Sequence, residues 1–229
     1  MPDSSREPLG KIKYSSTLSN DIYNQIKLDI INGRFPPGEK LRIETMRQLY
    51  DIGNSPLREA LTRLAANGLI NQENQRGFRI PPVSREDLQD ICNSRIHIEV
   101  AALKLAIAQG DDCWEAEILA SYHRLKKSQE NQEVATMAWE KRHTDFHSTL
   151  ISACHSKTLL KFSTILHDQF DRYRRLAPNN DKLRAELDSQ HLQIMRLSID
   201  RKAEIAGDLL AVHIELSAKS ALALFDEAN

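Results

Sequence analysis

The sequence predicts a mainly α protein in two parts, a small helix-and-hairpin domain followed by an all-helical bundle. Three observations carry this. Residues 51–70 read as a tight turn, an amphipathic helix and a terminating glycine. Two short β-like runs, Leu69–Gln72 and Gly77–Ile80, follow directly. From Ser84 onward apolar residues recur at helical spacing, with few glycines and little β-branched alternation. A chain of 229 residues is long enough that two domains is the natural organisation.

Taken in order, residues 1–14 are polar, with proline and glycine, and read as a mobile tail. Asp21 to Asn32 places Ile22, Ile26 and Ile30 at helical spacing, with Tyr23 and Ile31 beside them. Gly33 stops that helix, and the Pro36-Pro37-Gly38 turn re-aims the chain. Glu44-Thr-Met-Arg-Gln-Leu-Tyr50 brings Met46, Leu49 and Tyr50 onto one face of a short helix. Gly53-Asn54-Ser55 is turn chemistry, with Ser55 read as the N-cap and Pro56 as the first helical residue. Leu57, Ala60, Leu61 and Leu64 fall at i, i+3, i+4 and i+7, so one face of the next helix is apolar. Gly68 suits the left-handed residue just past its end. The spacing is that of a helix-turn-helix. With the hairpin around Glu73-Asn-Gln-Arg76, it makes a winged helix over residues 15–80.

In such a unit the second helix presents side chains to base edges and phosphates, here Asn54, Ser55, Arg58, Thr62 and Arg63. Arg76, Gly77 and Arg79 lie in the wing. Net charge is −1 overall, but it divides unevenly. Residues 1–80 hold 12 Lys and Arg against 9 Asp and Glu (+3), and residues 81–229 hold 19 against 23 (−4). The positive excess is small, so DNA affinity must come from local placement of Arg58, Arg63, Arg76 and Arg79 and from doubling by dimerisation.

The stretch Gly33-Arg-Phe-Pro-Pro-Gly-Glu-Lys-Leu41, then Pro56-Leu-Arg-Glu-Ala-Leu61, Gly68-Leu-Ile70 and Arg76-Gly77, resembles the DNA-binding domain of GntR-family bacterial transcription regulators. Two positions depart from the family pattern: Gly53-Asn54-Ser55 stands where Ser-Arg-Thr is usual, and Glu44 where many members have arginine. The resemblance implies binding of double-stranded DNA at a pseudo-palindromic operator by a homodimer.

Pro81-Pro82 ends the wing, and residues 81–84 form a linker to a helical domain over 85–229. Ser84-Arg-Glu-Asp87 approximates a capping box. It opens a helix through Leu88, Ile91, Cys92, Ile96, Val100, Leu103 and Ala106 that ends near Gly110. Further helices are expected at about 112–130, 133–153, 156–176, 182–199 and 202–226, giving an all-α bundle of about six helices. Charged residues at 28% and apolar residues at 41% are ordinary for a globular protein. Three cysteines, widely spaced and without a CxxC pair, argue for a reducing cytoplasm rather than a disulfide framework. No apolar run approaches the length needed to span a bilayer.

The chemistry of this second half lies in histidines. His143 and His147 stand at i, i+4 on one helix face. In ordinary helices such a pair is more often a surface or hydrogen-bonded pair than a metal site. His191 lies about 14 Å before a helix break near Asp200, and His213 about 18 Å after it, by the 1.5 Å rise. An antiparallel hairpin would set them at nearly the same height. Four histidines can then converge on a divalent ion: Zn²⁺ first, or Ni²⁺, Fe²⁺ or Mn²⁺, with imidazole favouring the first three. His97, His123, His155 and His167 have no comparable spacing and read as structural or exposed.

The Phe146-His147, His191, His213 pattern is similar to the FCD effector domain that accompanies this type of winged helix. That domain holds its metal with an Asp four residues before the first His, plus three His. The resemblance implies His143 (in the Asp position), His147, His191 and His213 as ligands, and a softer site for loss of the carboxylate. It also implies a small carboxylic acid bound beside the metal. Arg95, with Glu99 at i+4, resembles the family's Arg-x-x-x-Glu, and reads equally as an effector contact or a buried salt bridge. Of the cluster Arg172, Arg174 and Arg175 around Tyr173, Arg174 is the second effector candidate. Asp111–Leu119, with Arg142-His143 and Phe146-His147, looks like the carbon-starvation-induced repressor branch, which suggests a short dicarboxylate or hydroxy-dicarboxylate.

The expected protein is thus a cytoplasmic, ligand-responsive regulator, a repressor in the first reading. A metal-responsive regulator without an organic effector shares every one of these features. A metal-dependent enzyme is the third alternative. No carboxylate stands at a fixed spacing as its general base, and an attached DNA-binding domain would go unexplained.

Overall fold

The computed structural model describes residues 18–73, 77–130, 137–177, 181–222 and 225. The expected tail over 1–14, the hairpin tip with Arg76, residues 133–136 and the end of the last helix past Leu222 lie outside them. The chain divides into two compact units. One comprises residues 1–84 with Asp171–Leu176, the other residues 85–170 with 177–229.

In the first unit α1 (Leu18–Ile31) carries Ile22, Ile26 and Ile30 on its inner face. They pack against α2 (Ile43–Tyr50) and α3 (Asn54–Ala66), with Met46, Leu57, Leu61, Leu64, Leu69 and Phe78 completing one core. Tyr50 Oη donates to Asp29 Oδ2 at 2.6 Å, tying α2 to α1. Between α2 and α3, Asp51 takes a left-handed conformation (φ 48°) and Gly53 an extended one.

The start of α3 corrects the sequence reading. Gly53, not Ser55, is the N-cap, it makes no side-chain capping bond, and Asn54 is the first helical residue. Pro56 is therefore the third helical residue rather than the first. It is tolerated there because the N–H groups of the first turn have no intrahelical acceptor in any case. Ser55 is released from capping and stays exposed. The end of α3 is as expected. Gly68 sits at φ +72°, its N–H reaching Ala65 O, while Leu69 N–H reaches Leu64 O. This is a Schellman closure, which favours glycine at the left-handed position.

The wing has three strands rather than two. β2 (Asn71–Glu73) and β3 (Gly77–Arg79) form the expected hairpin, and β1 (Lys40–Leu41) pairs antiparallel on the far side of β3, in the order β1-β3-β2. Lys40 faces Arg79 and Leu41 faces Phe78 across that extra ladder. A two-residue strand is too short to show alternation, so no periodicity in the sequence marks it.

The second unit is helical among its described residues. It comprises α4 (Arg85–Gln109), α5 (Asp112–Glu130), α6 (Met137–Ile151), a 3₁₀ turn (Ser152–Cys154), α7 (Lys157–Arg174, whose last residues group with the first unit), α8 (Asp181–Ile199) and α9 (Ala203–Leu222). α4 packs along α9, α5 lies against α6 and α8, and α8 lies against α9. Gly207 allows the α4–α9 approach, since a Cβ there would stand 2.7 Å from Lys104 Cε and 3.0 Å from Val100 Cγ1. Arg201, at φ +58°, turns the chain between α8 and α9. None of the described helices is long and apolar enough to cross a membrane.

Candidate DNA-contact surface and buried histidine centre

On α3 the core face (Leu57, Ala60, Leu61, Leu64) is buried, while Asn54, Ser55, Arg58, Glu59, Thr62 and Arg63 are exposed. The candidate base-reading side chains thus lie on the open side of the helix. The arginines differ in how they are held. Arg63 stacks its guanidinium over the Tyr23 ring at 4.3 Å and donates to Asn20 Oδ1, so it braces α3 on α1. Arg79 donates from Nε to Glu73 Oε1 (2.6 Å) and from Nη1 to Gly38 O (2.7 Å), which fixes the wing from inside. Gly77, at φ +103°, shapes the strand start. Arg58 is the exposed arginine of α3 that projects clear of these braces.

In the second unit His143 and His147 from α6, His191 from α8 and His213 from α9 converge, each offering a ring nitrogen within 4.8 Å of the others. All four are buried, between 2% and 8% exposed. His147 Nε2 lies 3.2 Å from His191 Nε2, and the His191 and His213 ring centroids are 4.5 Å apart. The i, i+4 spacing on α6 and the matched heights either side of the α8–α9 turn place them so.

These residues fit a metal ion. Two nitrogens bound to one tetrahedral Zn²⁺ at about 2.0–2.1 Å stand roughly 3.3 Å apart, close to the His147–His191 separation. His213 Nδ1 lies 3.1 Å from Gln190 Oε1. A proton on Nδ1 donated to that oxygen leaves Nε2 as the lone-pair nitrogen, the outer-sphere arrangement that orients metal-binding histidines. Burial is the main force holding His147 and His213 well below the ordinary imidazole value. The neighbouring His191 acts the same way on both, as do His213 and His167 on His147, and Arg95 on both. They are held neutral, the form that binds a cation. Trp139 stacks on His143 at 4.9 Å, and Phe146 closes the side by His147 and His191.

Those shifts give a pH dependence. Unfolded histidine protonates near 6.5, whereas folded His147 and His213 protonate well below it. In the window between, the unfolded chain binds more protons, so stability falls as pH falls. Metal-free protein is expected to hold its full stability above about pH 6.5 and to lose it progressively on acidification. Thermal unfolding of chelator-treated protein across pH 8 to 5 measures this. A flat profile through that range would contradict the buried neutral pair.

The two arginines proposed for an effector fare differently. Arg95 is buried beside the cluster, in a two-pronged ion pair with Glu99 (Nε to Oε1 2.8 Å, Nη2 to Oε2 3.2 Å). Arg174 pairs instead with Asp171 at 2.9 Å and groups with the first unit. One residue escaped the sequence reading in part. His97, His123 and His155 are exposed, but His167 on α7 is buried with ring centroids 6.2 Å from His147 and 6.4 Å from His143. Its partners come from α4 and α6, so no local spacing could reveal it.

Residues 18–80 match the bacterial regulatory proteins of the gntR family, and residues 90–216 match the FCD domain. The chain belongs to the GntR family and carries an FCD domain. This GntR-family protein is 34% identical over 94% of its length to the HTH-type transcriptional regulator BphR of Paraburkholderia xenovorans, covering 88% of that protein. It is 36% identical over 86% of its length to the HTH-type transcriptional repressor GlaR of Escherichia coli, covering 92%. Among solved structures, Escherichia coli McbR/YncC superposes with a TM-score of 0.75 over 93% of this chain and 100% of that one, at 20% identity, which speaks to fold. The GntR-family chain is therefore a DNA-binding transcription regulator and not an enzyme. The specific likeness to the carbon-starvation-induced branch is not singled out by these relatives, which include BphR, GlaR and YdhC of Bacillus subtilis.

Proposed function

We propose that this regulator represses transcription in the cytoplasm as a homodimer. Its two winged helices would read a pseudo-palindromic operator through Asn54, Ser55, Arg58 and Thr62. Arg76, in the wing, would join them at the backbone. The helical domain would bind a divalent ion, Zn²⁺ first among Zn²⁺, Ni²⁺, Fe²⁺ and Mn²⁺, on His143, His147, His191 and His213. A small carboxylate, a short dicarboxylate for preference, would bind beside it and set operator affinity. The observation that carries this reading is the buried four-imidazole convergence in a chain that also carries a DNA-reading helix.

When bound, the ion supplies a fixed double positive charge for a carboxylate oxygen. The chain's own residues do the rest. Burial keeps His147 and His213 neutral and shields all four rings from water, and Gln190 orients His213. A ligand of this kind can shift operator affinity only by binding one protein state better than another. In a dimer the natural variable is whether the two recognition helices match half-sites about 34 Å apart.

The test is an operator mobility shift with protein as purified, after chelation, and after metal return, each with and without succinate. Release of operator by succinate from metal-loaded protein alone supports the reading. Release governed by metal alone, with succinate inert, replaces it with a metal-responsive regulator. That second reading is favoured by one observation: the donor set holds no carboxylate among the described residues, so it discriminates between cations by itself.

A further inference from the structure

Resting on the reading of the helical domain as a carboxylate sensor, we infer that His167, through its Nε2–H, is the residue that binds the effector's carboxylate. Arg95 is then a positioning residue that fixes the histidine's tautomer. Arg95 is the obvious anion receptor by residue type, but its guanidinium is committed. Nε and Nη2 hold both oxygens of Glu99, the Phe170 ring covers one face at 4.4 Å, and both members of the pair are 3% exposed. Turning that edge to a ligand would strand a buried carboxylate, which costs more than an exposed one.

What Arg95 does offer is a direction. Its Nη2 also lies 3.4 Å from His167 Nδ1. A guanidinium has no acceptor, so in this contact the imidazole nitrogen accepts and the ring's N–H sits on Nε2. That Nε2 lies 3.4 Å from Thr144 Oγ1, a neutral hydroxyl acceptor. A carboxylate oxygen makes roughly twice as strong a bond as a neutral one and would displace the hydroxyl. The donor is also in the right place. Thr144 follows His143 directly, and the His167 ring lies beside those of His143 and His147. His167 is not one of the four residues whose ligand atoms gather within 4.8 Å. It stands next to the metal set as a hydrogen-bond donor.

The experiment loads full-length protein with Co²⁺ and follows its visible absorption on titration with succinate, and with acetate as the single-carboxylate probe. His167→Phe removes the donor, and His167→Gln returns an amide N–H near the same place. Co²⁺ affinity, measured by chelator competition, is expected to change less than the roughly 10–100-fold that loss of a ligand-orienting residue costs, because His167 is not one of the four ligands. Succinate affinity should fall roughly ten-fold or more in His167→Phe and recover to within about three-fold of wild type in His167→Gln. Should His167→Phe not fold, His167→Ala carries the same expectation. Wild-type affinity in the Phe variant overturns the inference alone. So does equal weakening in Phe and Gln, which marks a packing role, or loss of Co²⁺, which marks His167 as a ligand. A wild-type spectrum that answers to neither acid overturns the inference and the carboxylate-sensor reading together.

Discussion

Arg58→Ala is expected to abolish specific operator binding while leaving the fold and the histidine centre unchanged. Arg58 projects from the open face of α3, one residue after the buried Leu57, and is exposed. A bidentate arginine–guanine contact carries about 1–3 kcal/mol of discrimination against a wrong base. A dimer loses it twice, so specific affinity should drop at least roughly thirty-fold while non-specific binding persists. Footprinting at a fixed salt concentration reads this directly, and a preserved footprint would remove Arg58 from the reading set. Arg63→Ala is the informative contrast. Arg63 packs on Tyr23 and Asn20, so its loss should appear first as a lower unfolding temperature of the first unit. The two neighbouring arginines of one helix thus separate into a reader and a brace.

That separation marks where sequence reasoning runs out. The core of α3 was legible because Leu57, Ala60, Leu61 and Leu64 repeat with the helical period, and all four are fully buried. The bundle helices were legible for the same reason, over longer stretches. The histidine centre could be reached because its residues sit at regular positions: a one-turn pair on α6, and two residues nearly equidistant from a break that falls at Arg201. What could not be read depends on partners far off in sequence. Arg63 meets Asn20 across 43 residues and Arg79 meets Gly38 across 41, so nothing in either local pattern announces a brace. His167 meets Arg95 across 72 residues and Thr144 across 23. The start of α3 lies two residues before the one its sequence suggests, because Ser55 and Gly53 are both competent N-caps, and only the backbone path decides between them.

His147→Ala is expected to abolish the stabilisation of the protein by metal. His147 is the hub of the centre. Its ring approaches His143, His191 and His213 at 4.6, 5.2 and 5.2 Å, and its Nε2 lies 3.2 Å from that of His191. Loss of a residue that merely orients a ligand costs about 10–100-fold in metal affinity, so removal of a ligand should cost at least that much. For wild type, free ion at a hundred times its dissociation constant stabilises by about 2.7 kcal/mol, roughly 5–11 °C in a protein of this size. The variant should show almost none of that shift at the same ion concentration. The cation series sharpens the test. Four imidazole ligands suit Zn²⁺, Ni²⁺ and Fe²⁺, whereas Mn²⁺ sits low in the affinity order and Mg²⁺ prefers carboxylate and water. Wild type should therefore respond strongly to Zn²⁺ and Ni²⁺, weakly to Mn²⁺ and not to Mg²⁺. A variant that kept the full Zn²⁺ shift would place the ion elsewhere. A wild type that preferred Mn²⁺ would require a carboxylate donor that these four side chains do not supply.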